Sequence, residues 1–518
     1  MNIIPLPKEF TESSGVYLID GKIKSDFRLD LLDDFAVFSD DASFVIEKDS
    51  SVPEEGYKLS VTPERLTVKA STKTGAYYAL QSVRRLCGFD LGNREVPCCE
   101  IEDEPRFKWR GLHLDESRHF FGEKEVKRLL DFMFAEKLNT FHWHLTDDQG
   151  WRVEIKKYPL LTEIGSKRAY TQVGGWGSDK IEKLEHGGYY TQQQIAEIVE
   201  YAAERGITVV PEIDFPAHCA AAIAAYPYIA CFETKTEVPG YFGGLIPEKQ
   251  GNYRWNRTLC CGKETTFEFV FGVLDELCSL FPSRYIHIGG DEAPSGEWKL
   301  CKDCQRVIKE NGLKNEEQLQ GWFENRLIAY LRDKGKTPIG WNEIIRAENL
   351  DNANNSVAIQ YWTPKRDTFA ENYAQKGGTM ILSNHQSFYF DMPYAMMPLC
   401  NTYNYFPKNY GINNADAKNV LGVEGELWSE WIPDRAKLDL SAFPRMQALA
   451  EVAWTPEDRR DFDSFKRRLD ELKPTLKKLG IGYAEDCISL NDDKKLKDEI
   501  LEKFSCGDPC LEVKLNKN

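Results

Sequence analysis

The chain has 518 residues, of which 42% are apolar and 29% are charged, a composition typical of folded globular proteins. Its length favours two or three domains. The formal net charge of −16 argues against nucleic acid and anionic membranes as partners, because both bind basic surfaces. No apolar run approaches the roughly 18 to 20 residues that a membrane span requires, so we expect none.

The amino terminus, MNIIPLPKEF, has neither a basic leader nor a continuous apolar segment, so it contains no recognisable signal peptide. As the sequence stands we expect a cytoplasmic protein, or a secreted or periplasmic one if a leader was removed.

Among the 14 cysteines, Cys301-x-x-Cys304 and Cys506-x-x-x-Cys510 form two local pairs. One CxxC supplies only half of a four-ligand zinc site. We therefore interpret both pairs as thiols or local disulfides and assign no metal and no cofactor.

Residues 1–105 are predicted to form a small α/β domain. Tyr57–Val61 and Leu66–Val68 alternate apolar and polar residues, as half-buried strands do, and apolar residues recur at helical spacing after Thr74. An acidic segment ending at Pro105 marks the domain boundary. At the other end of the chain, residues 486–518 are charged and amphipathic, which predicts a helical tail.

Strands and helices alternate from Phe107 onward, in about eight units over residues 106–485. The predicted strands are Arg110–Asp115, Thr140–Leu145, Thr208–Ile213, Tyr285–Ile288, Pro338–Trp341, Val357–Tyr361, Thr379–Ser383 and Val420–Gly422. This alternation predicts an α/β fold, a (β/α)8 TIM barrel preceded by the small α/β domain. A doubly wound sheet is the main rival, but it would normally show fewer strands. Residues 165–190, which include Trp176, and residues 217–263 are long connections that we expect to form pocket walls.

The stretch YIHIGGDEAP, residues 285–294, ends an apolar strand in two glycines and then presents Asp291 and Glu292 side by side. Adjacent side chains on an extended backbone point to opposite sides, so we expect the two carboxylates to face different parts of a ligand. Burial by tryptophan and a neighbouring ionised Asp291 would favour the protonated form of Glu292, as a general acid requires.

The other predicted strands also end in polar or aromatic residues, which a barrel would bring to one face. Acids, an arginine, a histidine and several tryptophans at such a face suggest a sugar pocket, in which aromatic rings cover the C–H faces of a pyranose and charged groups bind its hydroxyls. The candidates are Arg118, Asp147, His218, Trp341, Trp362, Tyr389, Asp391, Trp428 and Glu430.

Short strings at these strand ends resemble the glycoside hydrolase family 20 β-N-acetylhexosaminidases. In chain order they read RGLHLDESRHF, FHWHLTDDQGWR, PEIDFPAH, HIGGDE, GWNE, QYW and WSE. The resemblance covers residues 105–485 and, less specifically, the first hundred residues. It implies an exo-acting hydrolase (EC 3.2.1.52) that removes terminal, non-reducing β-linked GlcNAc or GalNAc from glycans with net retention.

The resemblance also implies roles for individual residues. Glu292 would be the general acid/base, and Asp291 would orient the 2-acetamido group while that group attacks the anomeric carbon to form an oxazolinium, so that no carboxylate nucleophile is needed. Tyr389 would bind the acetamido carbonyl. The remaining residues would bind hydroxyls (Arg118, Asp391, Glu430), enclose the sugar (Trp341, Trp362, Trp428) or tune the acid's protonation (Asp147, His218). An additional wall aromatic is expected among Tyr403, Tyr405 and Phe406.

Two alternatives remain from the sequence. A metal-dependent barrel hydrolase could use His142, His144, His218, His287 and Asp291, although we expect His142 and His144 to lie below the rim, hydrogen-bonded inside the barrel. A carbohydrate-binding protein without turnover is the second alternative. The sequence does not indicate the natural glycan, the GlcNAc-to-GalNAc preference or the oligomeric state.

Overall fold

The amino-terminal region forms a mixed sheet covered by one helix. A computed structural model describes residues 3–31, 36–242, 257–347, 357–363, 367–413 and 418–516. Seven strands lie in the spatial order Glu9–Leu18, Glu95–Asp103, Tyr57–Val61, Leu66–Ala70, Phe44–Lys48, Lys22–Ser25 and Val37–Phe38. Helix Lys73–Cys87 begins where the Thr72 side chain accepts a hydrogen bond from the Gly75 N–H, and it packs its apolar face on this sheet. This confirms the small α/β domain in front of the barrel.

Eight parallel strands close into a barrel in chain order, which confirms the predicted (β/α)8 fold. They are Trp109–Asp115, Thr140–His144, Thr208–Glu212, Tyr285–His287, Thr337–Trp341, Ala358–Tyr361, Thr379–Leu382 and Val420–Leu427. The eighth strand runs past the predicted end at Gly422, because Glu424 and Glu426 point into the barrel and find polar partners there. Glu424 accepts a hydrogen bond from the Trp109 indole, and both glutamates accept from the Gln360 amide.

Helices surround the barrel and continue beyond it. The described α-helices that follow barrel strands include Glu123–Ala135, Gln192–Glu204, Glu264–Leu280, Glu316–Asp333, Thr368–Gln375 and Arg445–Trp454. Additional helices are Leu160–Glu163, Ala220–Ala225, Gly296–Leu300, Lys302–Glu310, His385–Phe388, Leu399–Tyr403, Arg435–Ala442, Phe462–Lys478, Asp486–Ser489, Lys494–Cys506 and Leu511–Leu515. In the part of the chain that the structure describes, no helix combines the length and apolar composition needed to cross a bilayer.

The long connections predicted as pocket walls carry little regular structure. Residues 165–190 contain two antiparallel pairs of two-residue strands, Lys167–Arg168 with His186–Gly187 and Thr171–Gln172 with Ile181–Glu182. Residues 243–256 of the second connection lie outside the described residues. The boundaries proposed at residues 105 and 485 stay predictions.

Trp454, the last residue of the helix that closes the barrel, joins the barrel to the amino-terminal sheet. Its ring is fully buried and meets Tyr78 edge-on at a centroid distance of 5.2 Å. Its indole N–H donates to Asp103 Oδ1 at 2.9 Å. Because one side chain supplies both an aromatic contact and the hydrogen bond of a buried carboxylate, it fixes the two regions against each other.

Replacing Trp454 by Ala removes that ring and leaves Asp103 with one donor fewer. We expect the free energy of unfolding, measured by urea titration, to fall by about 3–5 kcal/mol, as for other buried Trp→Ala changes. Trp454→Phe, which keeps an aromatic ring but removes the N–H, should lose markedly less. A loss below about 1 kcal/mol for Trp454→Ala would contradict this role for the side chain.

Candidate active site

One pocket at the carboxyl ends of the barrel strands contains all the candidate residues. Its volume is about 210 Å³. The eleven residues singled out from the sequence all line it: Arg118, Asp147, His218, Asp291, Glu292, Trp341, Trp362, Tyr389, Asp391, Trp428 and Glu430. Parallel strands in a closed barrel bring their carboxyl ends to the same rim, so residues far apart in the chain meet there.

The acid pair lies in a tight turn rather than on extended backbone. The fourth barrel strand ends at His287, and Gly289, Gly290 and Glu292 all have positive φ angles, of 69°, 99° and 48°. A Cβ on Gly289 would lie 1.8 Å from an Asp214 oxygen, so the turn depends on glycine at this position. The fourth strand is therefore followed by a strained turn, and this turn sets the directions of both carboxylates.

This turn brings both carboxylates to the same imidazole nitrogen, His218 Nε2, at 3.5 Å for Asp291 and 3.7 Å for Glu292. One expectation about the pair is wrong. The Glu292 side chain is 61% exposed, against 14% for Asp291, so tryptophans do not bury it as expected. Its position lies at the pocket mouth, where it also lines a neighbouring cavity with Trp298 and Glu343.

Asp291 lies at the buried end of the pair. Burial raises the pKa of its carboxyl to about 6, against the opposing charge of His218. Within the described residues its Oδ1 atom has no hydrogen-bond partner. Burial and the charge of Asp291 also raise the pKa of Asp214, which accepts a hydrogen bond from the Gly290 N–H at 3.1 Å. Asp291 therefore offers a ligand a buried oxygen that protein groups leave free.

Asp147 connects two cations of the pocket. Arg118 Nη2 lies 2.9 Å from Asp147 Oδ2, and His218 Nδ1 lies 3.1 Å from Asp147 Oδ1. Burial opposes the charge on His218, but the carboxylates of Asp147 and Asp291 raise the pKa of its imidazole well above the ordinary value. His218 is thus a buried imidazolium held between one carboxylate below it and the acid pair above.

Aromatic rings enclose the middle of the pocket. Trp341 is buried, and its indole N–H donates to Glu212 at 2.8 Å, which fixes the ring at the pocket floor. Trp428 packs beside it with a centroid distance of 5.8 Å, and Trp362 stacks near Tyr389 at 6.0 Å with an interplanar angle of 24°. These walls match the shape that a pyranose and an N-acetyl group need.

Polar groups close the end of the pocket away from Asp291. Asp391 is buried, and among the described residues its Oδ1 atom has no hydrogen-bond partner. Burial and the nearby charge of Glu430 raise the pKa of Asp391 well above its usual value. Glu430 in turn lies 3.8 Å from Arg118 Nη2. An arginine and two carboxylates on one wall suit a ligand edge that carries several hydroxyl groups.

The interior histidines lie inside the barrel, hydrogen-bonded as expected for His142 and His144. His142 Nδ1 lies 2.7 Å from Glu424, and His144 Nδ1 lies 2.5 Å from Glu212. His144 also reaches upward to Asp147 at 3.0 Å, and His287 pairs with Glu212. His142 Nε2 and His287 Nε2 have no hydrogen-bond partner among the described residues.

Four further residues line the pocket without having been selected from the sequence: Trp176, His385, Met392 and Trp431. Trp176 lies in a connection that was predicted to form a wall, so its aromatic ring was a usable signal. His385 follows the seventh strand and could have been found by the strand-end rule.

The aromatic residue that was expected in the pocket wall is not one of the three proposed residues. Tyr403 and Tyr405 are buried outside the pocket, where they hydrogen-bond to Glu451 and Asn384, and Phe406 does not line the pocket either.

Comparisons with known proteins agree with this fold and site. Residues 107–457 match the model of the glycosyl hydrolase family 20 catalytic domain, and residues 20–104 match that of family 20 domain 2. A β-hexosaminidase of Porphyromonas gingivalis is 35% identical over 96% of this chain and 67% of its own length. One from Akkermansia muciniphila is 32% identical over 81% of this chain and 84% of its own.

Solved structures give the same result. The β-N-acetylhexosaminidase of Bacteroides fragilis superposes with a TM-score of 0.79 at 32% identity, covering 93% of this chain and 96% of that one. The N-acetyl-β-hexosaminidase of Streptomyces plicatus in complex with Thio-NAglucal gives 0.78 at 31% identity, covering 93% and 96%.

The barrel and its acid-lined aromatic pocket define a carbohydrate-cleaving hydrolase. The family match spans more than half of the chain, and the chain belongs to glycosyl hydrolase family 20. Membership confirms the activity expected from the sequence, that of an exo-acting, retaining β-N-acetylhexosaminidase.

The Asp147–His218 contact can be tested directly. In Asp147→Asn the imidazole loses its closest negative partner, so we expect the pKa of His218 to fall. Nitrogen chemical shifts of the histidine rings, followed by NMR against pH, measure this change. His385 lines the same pocket, but burial alone lowers its pKa and it has no charge contact with Asp147, so it should titrate as in the wild type. An unchanged His218 titration would mean that Asp147 does not hold the charge.

Proposed function

We propose that the pocket binds a terminal β-linked N-acetylhexosamine and that Asp291 and Glu292 divide its hydrolysis between them. The observation that carries this proposal is the contrast between two adjacent carboxylates: the Asp291 side chain is 14% exposed inside the pocket, and that of Glu292 is 61% exposed at its mouth. A general acid must reach the leaving group and water, whereas a group that stabilises charge on the sugar must lie inside.

Glu292 gives its proton to the glycosidic oxygen as the bond between that oxygen and the anomeric carbon breaks. The electron pair of this bond passes to the leaving oxygen, and the deprotonated Glu292 later takes a proton from the attacking water. The position at the mouth, shared with the cavity that contains Trp298, supports this role because both the aglycone and water can reach it.

Asp291 binds the substrate's acetamide. The acetamido oxygen attacks the anomeric carbon from the face opposite the leaving group and forms an oxazolinium, which water then opens with a second inversion. Asp291 accepts the acetamide N–H and, when ionised, stabilises the developing positive charge. Its buried Oδ1 atom without a protein partner supports this role, since a buried polar group favours a hydrogen-bonding ligand.

The remaining residues hold the sugar in place. Tyr389 donates its hydroxyl to the acetamido carbonyl, while Trp341, Trp362 and Trp428 enclose the N-acetyl group and the ring. Arg118, Asp391 and Glu430 bind the hydroxyl edge, in agreement with their grouping on one wall. His218, charged through Asp147, lies within 3.7 Å of both acids and adjusts the balance of charge between them.

The compartment of action is proposed to be the reducing cytoplasm as the sequence stands, or a secreted or periplasmic one if a leader was removed. None of the 14 cysteines, all of which belong to the described residues, forms a disulfide. Free thiols persist in the cytosol, whereas oxidising compartments pair them.

Replacing Glu292 by Gln removes the acidic proton while keeping the shape of the side chain. We expect kcat/KM on a β-GlcNAc disaccharide, a poor leaving group, to fall by about 10²- to 10⁴-fold. Hydrolysis of an aryl β-GlcNAc with a strongly acidic phenol should fall much less in its first step, because that leaving group needs little protonation. Equal activity of the variant and the wild type on the disaccharide would refute the assignment.

The pKa of Asp291 gives a pH prediction with a definite sign. Its pKa of about 6 means that the carboxylate is ionised at pH 7 and becomes protonated as the pH falls. We therefore expect kcat/KM to drop on the acid side with an apparent pKa near 6. Removing the cation in His218→Ala should move this limb to higher pH, because His218 lowers the pKa of Asp291. A limb that stays in place, or moves to lower pH, would contradict the role of Asp291.

A further inference from the structure

Four cysteines from three segments of the chain meet at the start of helix Lys302–Glu310. Cys231, Cys260, Cys301 and Cys304 have buried side chains, and their four sulfur atoms all lie within 4.8 Å of one another. Three of the separations, Cys231–Cys304, Cys260–Cys301 and Cys260–Cys304, are 3.7 Å. Sequence spacing alone pairs only Cys301 with Cys304, and the fold adds Cys231 and Cys260, the two further ligands that a four-ligand site needs.

These distances fit the ligand shell of a single metal ion. Four sulfurs that each lie about 2.3 Å from a tetrahedrally coordinated Zn²⁺ are about 3.8 Å apart. A disulfide would instead bring two sulfurs to about 2.0 Å, and all four cysteines are free thiols. A cluster of several metal ions would hold its ligands further apart than one ion does, so the compact set favours one ion.

The local backbone is arranged to deliver the ligands. An antiparallel bridge joins Ala230 to Leu259 and so places Cys231 beside Cys260. Cys301 precedes helix Lys302–Glu310 and Cys304 lies in its first turn, which brings both thiols to one side of the helix start. The cluster is thus built by three chain segments and not by one flexible loop.

Gly262 lets these segments come together. A Cβ at this position would lie 2.2 Å from the carbonyl carbon of Asp303 and 2.4 Å from the amide nitrogen of Cys304. Only glycine permits so close an approach of the Cys260 segment to the start of the helix. The Arg306 guanidinium, which donates to the Gly262 carbonyl at 2.9 Å, fixes the same contact.

We propose that Cys231, Cys260, Cys301 and Cys304 bind one structural Zn²⁺ as thiolates. Each thiol releases its proton to solvent on binding, and the ion compensates the negative charge of four buried sulfurs. Tetrahedral sulfur sites select zinc or iron among the common metals, and a closed four-sulfur shell without an open position is a structural one. This site is separate from the hydrolytic chemistry and does not rest on the roles given above to Asp291 and Glu292.

The ion would anchor the segment that follows the acid pair. Only eight residues separate Glu292 from Cys301. Between them, Trp298 donates its indole N–H to Leu259 next to Cys260 and also lines the cavity that Glu292 shares. Zinc at the four sulfurs would tie the connection after the third barrel strand to the connection after the fourth, and so stiffen the support of Glu292.

Metal analysis of the purified full-length enzyme tests the proposal. After dialysis against a weak chelator, inductively coupled plasma mass spectrometry should find about one zinc ion per chain, and the double variant Cys301→Ser/Cys304→Ser should have lost it. Cys261→Ser is the matched control, since Cys261 is a buried neighbour of Cys260 whose sulfur faces the Leu259 carbonyl instead. This control should keep its zinc.

X-ray absorption at the zinc edge of the wild-type protein tests the ligand set without any variant. The expected result is four sulfurs at about 2.3 Å. A first shell containing nitrogen or oxygen, iron in place of zinc, or no bound metal would overturn the proposal. Two disulfides among the four cysteines, found by non-reducing peptide mapping, would also overturn it.

Thermal unfolding supplies a readout independent of activity. Stripping the wild type with a strong chelator should lower its Tm, and adding ZnCl₂ should restore it. The Cys301→Ser/Cys304→Ser variant should not respond to zinc, whereas Cys261→Ser should respond like the wild type. Equal responses in all three proteins would place the zinc elsewhere. Loss of hydrolysis in Glu292→Gln with zinc retained would separate this site from the catalytic one.

Discussion

The pocket depends on one buried carboxylate, Asp147, held between two cations. Burial alone would raise the pKa of Asp147, but the charges of Arg118 and His218 outweigh it and hold that pKa well below the ordinary value. Removing one member of such a set would leave an uncompensated charge inside the barrel, which costs more than the intact arrangement contributes. Arg118 also contacts Glu430, and His218 also contacts Asp291 and Glu292. Asp147, through these two cations, therefore fixes the two ends of the pocket relative to each other.

A second layer of polar side chains lies beneath Asp147 inside the barrel, where ionisable groups contact one another. Glu212 lies within 3.2 Å of ring nitrogens from His142, His144 and His287 and also accepts the Trp341 indole N–H. Glu424 likewise contacts Trp109, His142 and Gln360, whereas Glu426 Oε2 has no hydrogen-bond partner among the described residues. The hydrogen bond from the Trp341 indole N–H to Glu212 holds this ring at the pocket floor.

The sequence was sufficient for the barrel and for the residues gathered at its rim, because strand periodicity and strand-end motifs are local signals that closure converts into proximity. It was insufficient wherever the backbone leaves regular geometry. The exposure of Glu292 follows from the positive φ angles of Gly289 and Gly290. The Gly-Gly dipeptide suggests a turn, but it does not indicate where the turn directs the Glu292 side chain. The cysteine cluster was missed since Cys231 and Cys260 join Cys301 only through tertiary folding. Trp431 follows Glu430 at the end of the eighth strand, so the strand-end rule could have found it.

The turn at residues 289–292 also bears on how the glycosidic bond is broken. A retaining glycosidase with an enzyme nucleophile needs carboxylates on opposite faces of the anomeric carbon, about 5 Å apart. Asp291 and Glu292 both lie within 3.7 Å of His218 Nε2, and only Asp291 is mostly buried. Family 20 enzymes need no such nucleophile, because the substrate's acetamide attacks the anomeric carbon. Under the proposed roles, Asp291 binds that acetamide inside the pocket and Glu292 at the mouth protonates the leaving group.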